Sequence, residues 1–137
     1  MASTAPSHRV PIANSMHHLP AGSVAVRQTN PNARIELTIG VRRKKDLPEL
    51  ASLEQTAPAK RQYMTRKELR DVHGSDPTAV DRIKAFASAH GMTVLREDPC
   101  AARLTLAGAV DDVASAFDVK LFDYKHPTLG EFHARVG

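Results

Sequence analysis

The chain of 137 residues has few residues that crosslink or anchor a protein: one cysteine, no tryptophan, four phenylalanines and two tyrosines. A single cysteine, Cys100, excludes an internal disulfide and a zinc site built on several thiolates. No run of about 18 apolar residues occurs, so the sequence predicts no membrane-spanning helix. The first ten residues, MASTAPSHRV, also lack the apolar middle segment of a secretory signal peptide. Three explanations stay open: the protein is not exported, its start has been trimmed, or it is exported by another route.

The residues that are present favour one small domain with a basic surface. Apolar residues make up 42% of the chain, and its formal net charge is +4 with histidine neutral. A chain of this length supports one domain with some length left for a tail. The basic balance is compatible with an acidic partner of any class, whether protein, nucleic acid or membrane surface.

Residues 1–33 contain four prolines and sustain no hydrophobic period. We therefore predict a mostly irregular N-terminal arm over residues 1–33 and a domain over residues 34–137. That domain begins with RIELTIGV, whose strict alternation of apolar and polar side chains predicts a half-buried strand.

Three helices are predicted after this strand. Asp46 is a candidate N-cap for the first. Thr65 and Glu68 have the S/T-x-x-E spacing of a capping box, in which each side chain satisfies a free backbone N–H of the other. The third helix is expected to have Pro77 in its first turn and to end just before Gly91.

The rest of the chain predicts two strands joined by a DPCA loop, a short helix and a last strand, VKLFDYK. A turn and an extended tail, HPTLGEFHARVG, are expected to follow this strand. This order predicts an α+β fold, a ferredoxin-like split β-α-β antiparallel sheet with helices on one face. The side chains expected to point toward the helices are Leu37, Ile39, Val94, Leu104, Leu106, Val119 and Leu121. The opposite face, which no predicted element covers, would hold Thr38, Arg42, Leu95, Arg103, Thr105, Phe122 and Tyr124.

Signatures of catalysis and of metal or cofactor binding are missing from the sequence. The seven histidines form no H-E-x-x-H motif, and no carboxylate joins them at ligand spacing. No serine stands in a G-x-S-x-G turn, and LAGAV has too few glycines for a phosphate-binding or dinucleotide-binding loop. The sequence therefore predicts no catalytic residue, no metal site and no cofactor.

Nucleic-acid binding is weakly supported. The basic run RRKK at residues 42–45 could contact phosphates, but a solvated strand end explains it more simply. Ferredoxin-like RNA-binding domains stack bases on aromatic residues of their two central strands. The corresponding strands here, RIELTIGV and ARLTLAG, contain no aromatic residue. A free-standing binding module for RNA or a small ligand is the alternative interpretation.

Four stretches, in this order, carry a resemblance to a known family: YMTRKEL, AFASAHGMTV, LTLAGAVDDVASAFDVKLFDY and GEFHARVG. Together they resemble the activation domain of the kumamolisin (sedolisin) family of acid-acting serine-carboxyl peptidases. The resemblance extends from about RVPIANS to the last residue. Two features depart from the family pattern: Ala109 replaces the usual Ser or Thr cap of the last helix, and the linker TAPAKRQY is short.

The resemblance implies a pro-domain that is not itself an enzyme and that has the fold of subtilisin-type propeptides. It would act as an intramolecular chaperone and inhibitor of a sedolisin-type acid peptidase, and would be released and removed at low pH. Its partner would be the catalytic domain of the same precursor, which this chain lacks, and not a nucleic acid or a membrane. The resemblance also implies that the precursor is secreted or extracytoplasmic. We expect the chain to be either a separately made pro-domain or a shortened precursor.

The uncovered sheet face is the predicted site for this partner, because an apolar centre with a polar rim is typical of protein interfaces. The predicted interface residues are Arg42, Leu95, Arg103, Thr105, Lys120, Phe122 and Tyr124.

Overall fold

A computed structural model describes residues 10–136, which form two compact units. The larger unit contains residues 30–118, and the smaller unit contains residues 10–29 and 119–136. The elements in chain order are β1 (Val24–Gln28), β2 (Arg34–Gly40), α1 (Leu50–Glu54), a 3-10 helix (Pro58–Lys60), α2 (Arg66–His73), α3 (Pro77–Ala89), β3 (Thr93–Asp98), β4 (Arg103–Ala109), α4 (Val110–Phe117), β5 (Leu121–His126) and β6 (Gly130–Arg135).

The larger unit is built on a three-stranded antiparallel sheet in the order β2-β4-β3. The central strand pairs along its length with β2, so that Leu106 lies opposite Leu37 and Thr105 lies opposite Thr38. Strand β3 follows the other edge of β4, with a bulge between Val94 and Arg96. The predicted hairpin between β3 and β4 is therefore confirmed.

One face of this sheet forms the core of the unit. Leu104 and Leu106 on β4 are fully buried, since α3 and α4 pack on that face through Ala87, Val113 and Ala116. Burial of apolar surface is the dominant favourable contribution to folding, which explains why the alternation in β2 and β4 predicts this face correctly.

Two of the helix starts agree with the sequence. Thr65 and Glu68 form the predicted capping box at the start of α2. Asp76 caps α3 by accepting a hydrogen bond from the Thr78 N–H at 3.0 Å, and Pro77 occupies the first turn. The proposed Asp46 cap is wrong, because α1 begins only at Leu50 and has no side-chain cap. Pro48 disfavours a helical conformation at the preceding residue, Leu47, which would have been the first helical residue after an Asp46 cap.

The predicted α+β class is confirmed, with four helices and two small antiparallel sheets. The assignment of β5 to the β2-β4-β3 sheet is wrong. In the structure β5 lies between β1 and β6 in a second sheet, so Val119 and Leu121 do not belong to the inward set of the larger unit. Strand β1 lies in the predicted arm and β6 in the predicted tail, and these strands pair with both edges of β5.

The boundary between an arm and a domain at residue 33 stays a prediction. Of the predicted arm, residues 1–9 lie outside the described part of the chain. Residues 10–23 contain no helix or strand, and β1 follows them. Among the helices of residues 10–136, none is long and apolar enough to cross a membrane.

Candidate partner-binding surface

The β2-β4-β3 sheet has a second face, which we call the helix-free face because α3 and α4 pack on the opposite one. On β4, Arg103 and Thr105 point to the helix-free face, since their neighbours Leu104 and Leu106 are buried against the helices. Arg103 is exposed and Thr105 is half-buried. The helix-free face therefore presents a small polar centre beside a cationic side chain.

Leu95 contributes the apolar part of this face. It is the additional residue at the β3 bulge, next to Arg96, which pairs with Thr105. A bulge places two residues of one strand against one residue of its partner. Leu95 remains 45% exposed, whereas Val94 packs against the core. The sequence correctly predicted Leu95 outside the core.

Three of the predicted interface residues are cations for which the described residues supply no counter-charge. Arg42 follows the buried Val41 at the end of β2, and Lys120 precedes β5. In residues 10–136, the side chains of Arg42, Arg103 and Lys120 make no ion pair or hydrogen bond. These cations remain available for carboxylates of another molecule.

Phe122 and Tyr124 belong to β5 in the smaller unit. Tyr124 lies opposite Phe132 on β6, is only 7% exposed, and stacks on the Phe132 ring with centroids 5.9 Å apart. Phe122 is half-buried. The expectation that both aromatic residues lie on the same sheet as Leu95 is wrong, because β5 pairs with β1 and β6.

The seven predicted interface residues therefore fall into two groups. Arg42, Leu95, Arg103 and Thr105 belong to the larger unit, and Lys120, Phe122 and Tyr124 belong to the smaller one. Their role in binding a partner stays a prediction for both groups.

The basic run at residues 42–45 is more than a solvated strand end. Arg43 donates hydrogen bonds to the carbonyl oxygens of His73 at 2.8 Å and Cys100 at 2.9 Å. Lys44 donates to the carbonyl oxygen of Asp71 at 2.9 Å. These contacts cannot be predicted from the sequence, since a run of four cations does not reveal which member turns back toward the chain.

Hydrogen bonds within the larger unit shift three pKa values. The backbone N–H and the hydroxyl of Thr65 bind the Glu68 carboxylate and lower its pKa. A hydrogen bond from Lys67 lowers the pKa of Asp71. A hydrogen bond to Glu97 raises the pKa of Lys84. These carboxylates have partners in the chain, whereas the side chains of Arg42 and Arg103 form no ion pair within residues 10–136.

Metal binding finds no support in the described residues. Within residues 10–136, no group of three or more histidine, cysteine or carboxylate side chains is arranged to hold a metal ion. His8, one of the seven histidines considered from the sequence, lies outside these residues.

Comparisons with known proteins identify the family. The family described as "Pro-kumamolisin, activation domain" matches residues 21–137, which include every helix and strand that the structure describes. Kumamolisin from Bacillus sp. (strain MN-32) is 34% identical over 107 residues, or 76% of this chain. The chain spans 19% of the length of that curated relative. An activation domain is a pro-domain of a peptidase precursor and is not itself catalytic. The chain therefore belongs to the pro-kumamolisin activation domain family.

Proposed function

We propose that this chain is a propeptide that assists the folding of a kumamolisin-type acid peptidase and then inhibits it. The observation that carries this proposal is the family match over residues 21–137. Its partner is the catalytic domain of the same precursor, and the precursor is secreted.

The chemistry of the helix-free face supports binding to a folded protein. Leu95 is exposed, Thr105 is small and half-buried, and Arg42 and Arg103 lack counter-charges among the described residues. Protein interfaces combine an apolar or small centre with a polar rim. We place the larger-unit part of the interface here, with Leu95 and Thr105 in contact with the peptidase and the two arginines pairing with its carboxylates.

Lys120, Phe122 and Tyr124 form the smaller-unit part of the proposed interface. Lys120 is exposed and unpaired among the described residues, and Phe122 is half-buried. Both can contribute contacts directly. The low exposure of Tyr124 gives this side chain a supporting role, because its ring holds β5 against β6.

Release at low pH follows from the proposed ion pairs. A carboxylate that pairs with a cation has a lowered pKa, so it stays charged at pH values where an unpaired one is already half protonated. The pairs therefore stabilise the complex above that lowered pKa and are lost as the pH falls through it. We expect release at or below about pH 4, the usual range of carboxyl groups.

The alternative of an RNA-binding module has no comparable support. Strands β2 and β4 carry no aromatic side chain on which a base could stack.

The proposal is tested by adding the chain to a mature kumamolisin-type peptidase near neutral pH and measuring residual hydrolysis of a peptide substrate. In parallel, the unfolded catalytic domain is refolded with and without the chain. The proposal requires loss of hydrolysis in the first assay and a higher yield of active enzyme in the second. Unchanged hydrolysis together with salt-dependent RNA binding would instead support the alternative.

A further inference from the structure

A cleft of about 380 Å³ opens in the larger unit beside α2 and the turn between β3 and β4. Four of its lining residues are cations from two elements: Arg66, Lys67 and Arg70 on α2 and Arg96 on β3. Like charges brought together on one surface repel each other, so such a cluster favours an anionic ligand.

Two acidic residues, Glu97 and Asp98, also line the cleft and offset only part of this cluster, which keeps two more cations than carboxylates. Glu97 pairs with Lys84 at 2.8 Å. Asp98 accepts a hydrogen bond from the Ala101 N–H at 3.0 Å. The Glu97 and Asp98 carboxylates therefore both bind groups other than the four cations of the cleft.

The cations of the cleft differ in their pairing. Lys67 and Arg70 share Asp71, at 2.6 Å and 3.4 Å. The side chains of Arg66 and Arg96 make no ion pair or hydrogen bond among residues 10–136. Two guanidinium groups on separate elements are thus left for a ligand.

Hydrogen bonds hold the two walls of the cleft together. The Cys100 thiol, in the β3–β4 turn, lies 3.5 Å from the carbonyl oxygen of Arg66 at the start of α2. Arg43 joins the same turn to the end of α2 through the carbonyl oxygens of Cys100 and His73. A site whose walls are held in place before binding loses less entropy when a ligand arrives.

We propose that this cleft binds an acidic peptide segment, with one carboxylate on Arg66 and another on Arg96. A guanidinium group matches a carboxylate through two parallel hydrogen bonds. The volume of the cleft equals that of about a dozen water molecules, which exceeds the needs of a lone oxyanion and suits a short stretch of chain. Pro99 and the aliphatic parts of the arginines provide apolar contact for that chain.

The proposal can be tested with this chain and a fluorescein-labelled peptide of alternating glutamate and alanine. The glutamine version of the peptide is the uncharged control, and binding is followed by fluorescence anisotropy. We expect saturable binding of the acidic peptide alone, weakened about tenfold by Arg66→Gln and about tenfold by Arg96→Gln, the usual loss for a charge-assisted hydrogen bond. Arg96→Lys keeps the positive charge but loses the two parallel hydrogen bonds of a guanidinium group. Its affinity for the peptide should therefore lie between those of the parent and Arg96→Gln.

Arg82→Gln is the matched control for loss of one positive charge. Arg82 is exposed on α3 and does not line the cleft, so this variant should change the affinity less than twofold. Equal weakening by all three glutamine variants would overturn the proposal in favour of diffuse attraction, and the absence of saturable binding would overturn it outright. If an equal concentration of inorganic phosphate displaced the peptide, the cleft would be a site for small oxyanions and the proposal of a peptide site would be wrong.

Circular dichroism of each variant must match the parent, which separates loss of the site from loss of the fold. The binding assay contains no peptidase. Its failure would therefore leave the proposed inhibitory function untouched, and failure of the inhibition assay would leave the cleft untouched.

Discussion

Tyr124 on β5 stacks on Phe132 of the neighbouring strand β6, with ring centroids 5.9 Å apart and ring planes 23° from parallel. The two residues are direct partners in the antiparallel register. Cross-strand aromatic pairs of this kind stabilise a sheet. Because Tyr124 is only 7% exposed, its ring serves the stability of the smaller unit.

Replacing Tyr124 by alanine should therefore lower the free energy of unfolding by about 3 kcal/mol, the usual cost of deleting a buried aromatic ring. Tyr124→Phe is the control, since the Tyr124 hydroxyl makes no hydrogen bond in the described part of the chain. Urea denaturation of both variants provides the measurement. If Tyr124→Ala were as stable as Tyr124→Phe, the stacked ring would contribute nothing to the fold.

Arg43 and Arg42 are adjacent cations for which we predict different effects on stability. Arg43→Ala removes hydrogen bonds to two carbonyl oxygens and should cost about 2 kcal/mol, since hydrogen bonds to charged groups are stronger than neutral ones. Arg42→Ala removes no side-chain hydrogen bond or ion pair among residues 10–136 and should change stability by less than about 0.5 kcal/mol. Thermal unfolding of the two variants compares them directly, and equal midpoints would contradict the structural role of Arg43.

The capping box of α2 should make stability depend on pH. Thr65 lowers the pKa of Glu68 in the folded chain, so the Glu68 carboxylate stabilises the fold above its unfolded pKa. That stabilisation is lost as the pH falls through the lowered folded pKa. The stability difference between the parent and Glu68→Gln should therefore shrink on acidification below about pH 4.3, the ordinary glutamate pKa.

Thr65 provides the control for this measurement. Thr65→Ala should itself cost about 1 kcal/mol, whereas Thr65→Ser should keep the cap. In a Thr65→Ala background, the effect of Glu68→Gln on the free energy of unfolding should depend less on pH, because the hydroxyl partner of Glu68 is gone. A difference that stays constant from pH 3 to 6 would show that the capping box does not respond to pH.

Leu95 tests the helix-free face as an interface. Leu95→Asp places a charge where we expect an apolar contact, and should weaken inhibition of the peptidase at least about tenfold, the scale of an interface hot spot. Since Leu95 is 45% exposed, the fold itself should be little affected. Leu129→Asp makes the same change at a position that is 62% exposed in the β5–β6 turn. Equal inhibition constants for the two variants would exclude Leu95 from the interface.

The sequence predicts the larger unit well because its signals are local. Alternation in β2 and β4 predicts their buried faces, and the spacing of Thr65 and Glu68 predicts a cap that depends on neighbouring residues alone. The β5–β6 hairpin of the smaller sheet is local, but its β1–β5 edge depends on pairing between residues about a hundred positions apart, such as Ala25 with Tyr124. No local period identifies such a partner, which is why β5 was placed in the other sheet.

For the candidate site, the exposure of strand residues is predictable from the sequence, but the contacts made by loop residues are not. The exposure of Leu95 and Arg103 follows from strand alternation, since each adjoins a residue that packs in the core. The hydrogen bonds of Arg43 and the cleft between Arg66 and Arg96 depend on how a loop approaches α2. Composition reveals the cations in these regions but not the direction in which each side chain points.

The inhibition constant of this chain against a mature kumamolisin-type peptidase, measured from pH 3 to 7, tests the central claim most directly. We expect inhibition to persist at about pH 5.5 and to fail near about pH 3.5 to 4, where carboxylates paired with Arg42, Arg103 or Lys120 become protonated. A transition centred near pH 6 would implicate histidine protonation and contradict the ion-pair mechanism. No inhibition at any pH would contradict the proposed function itself.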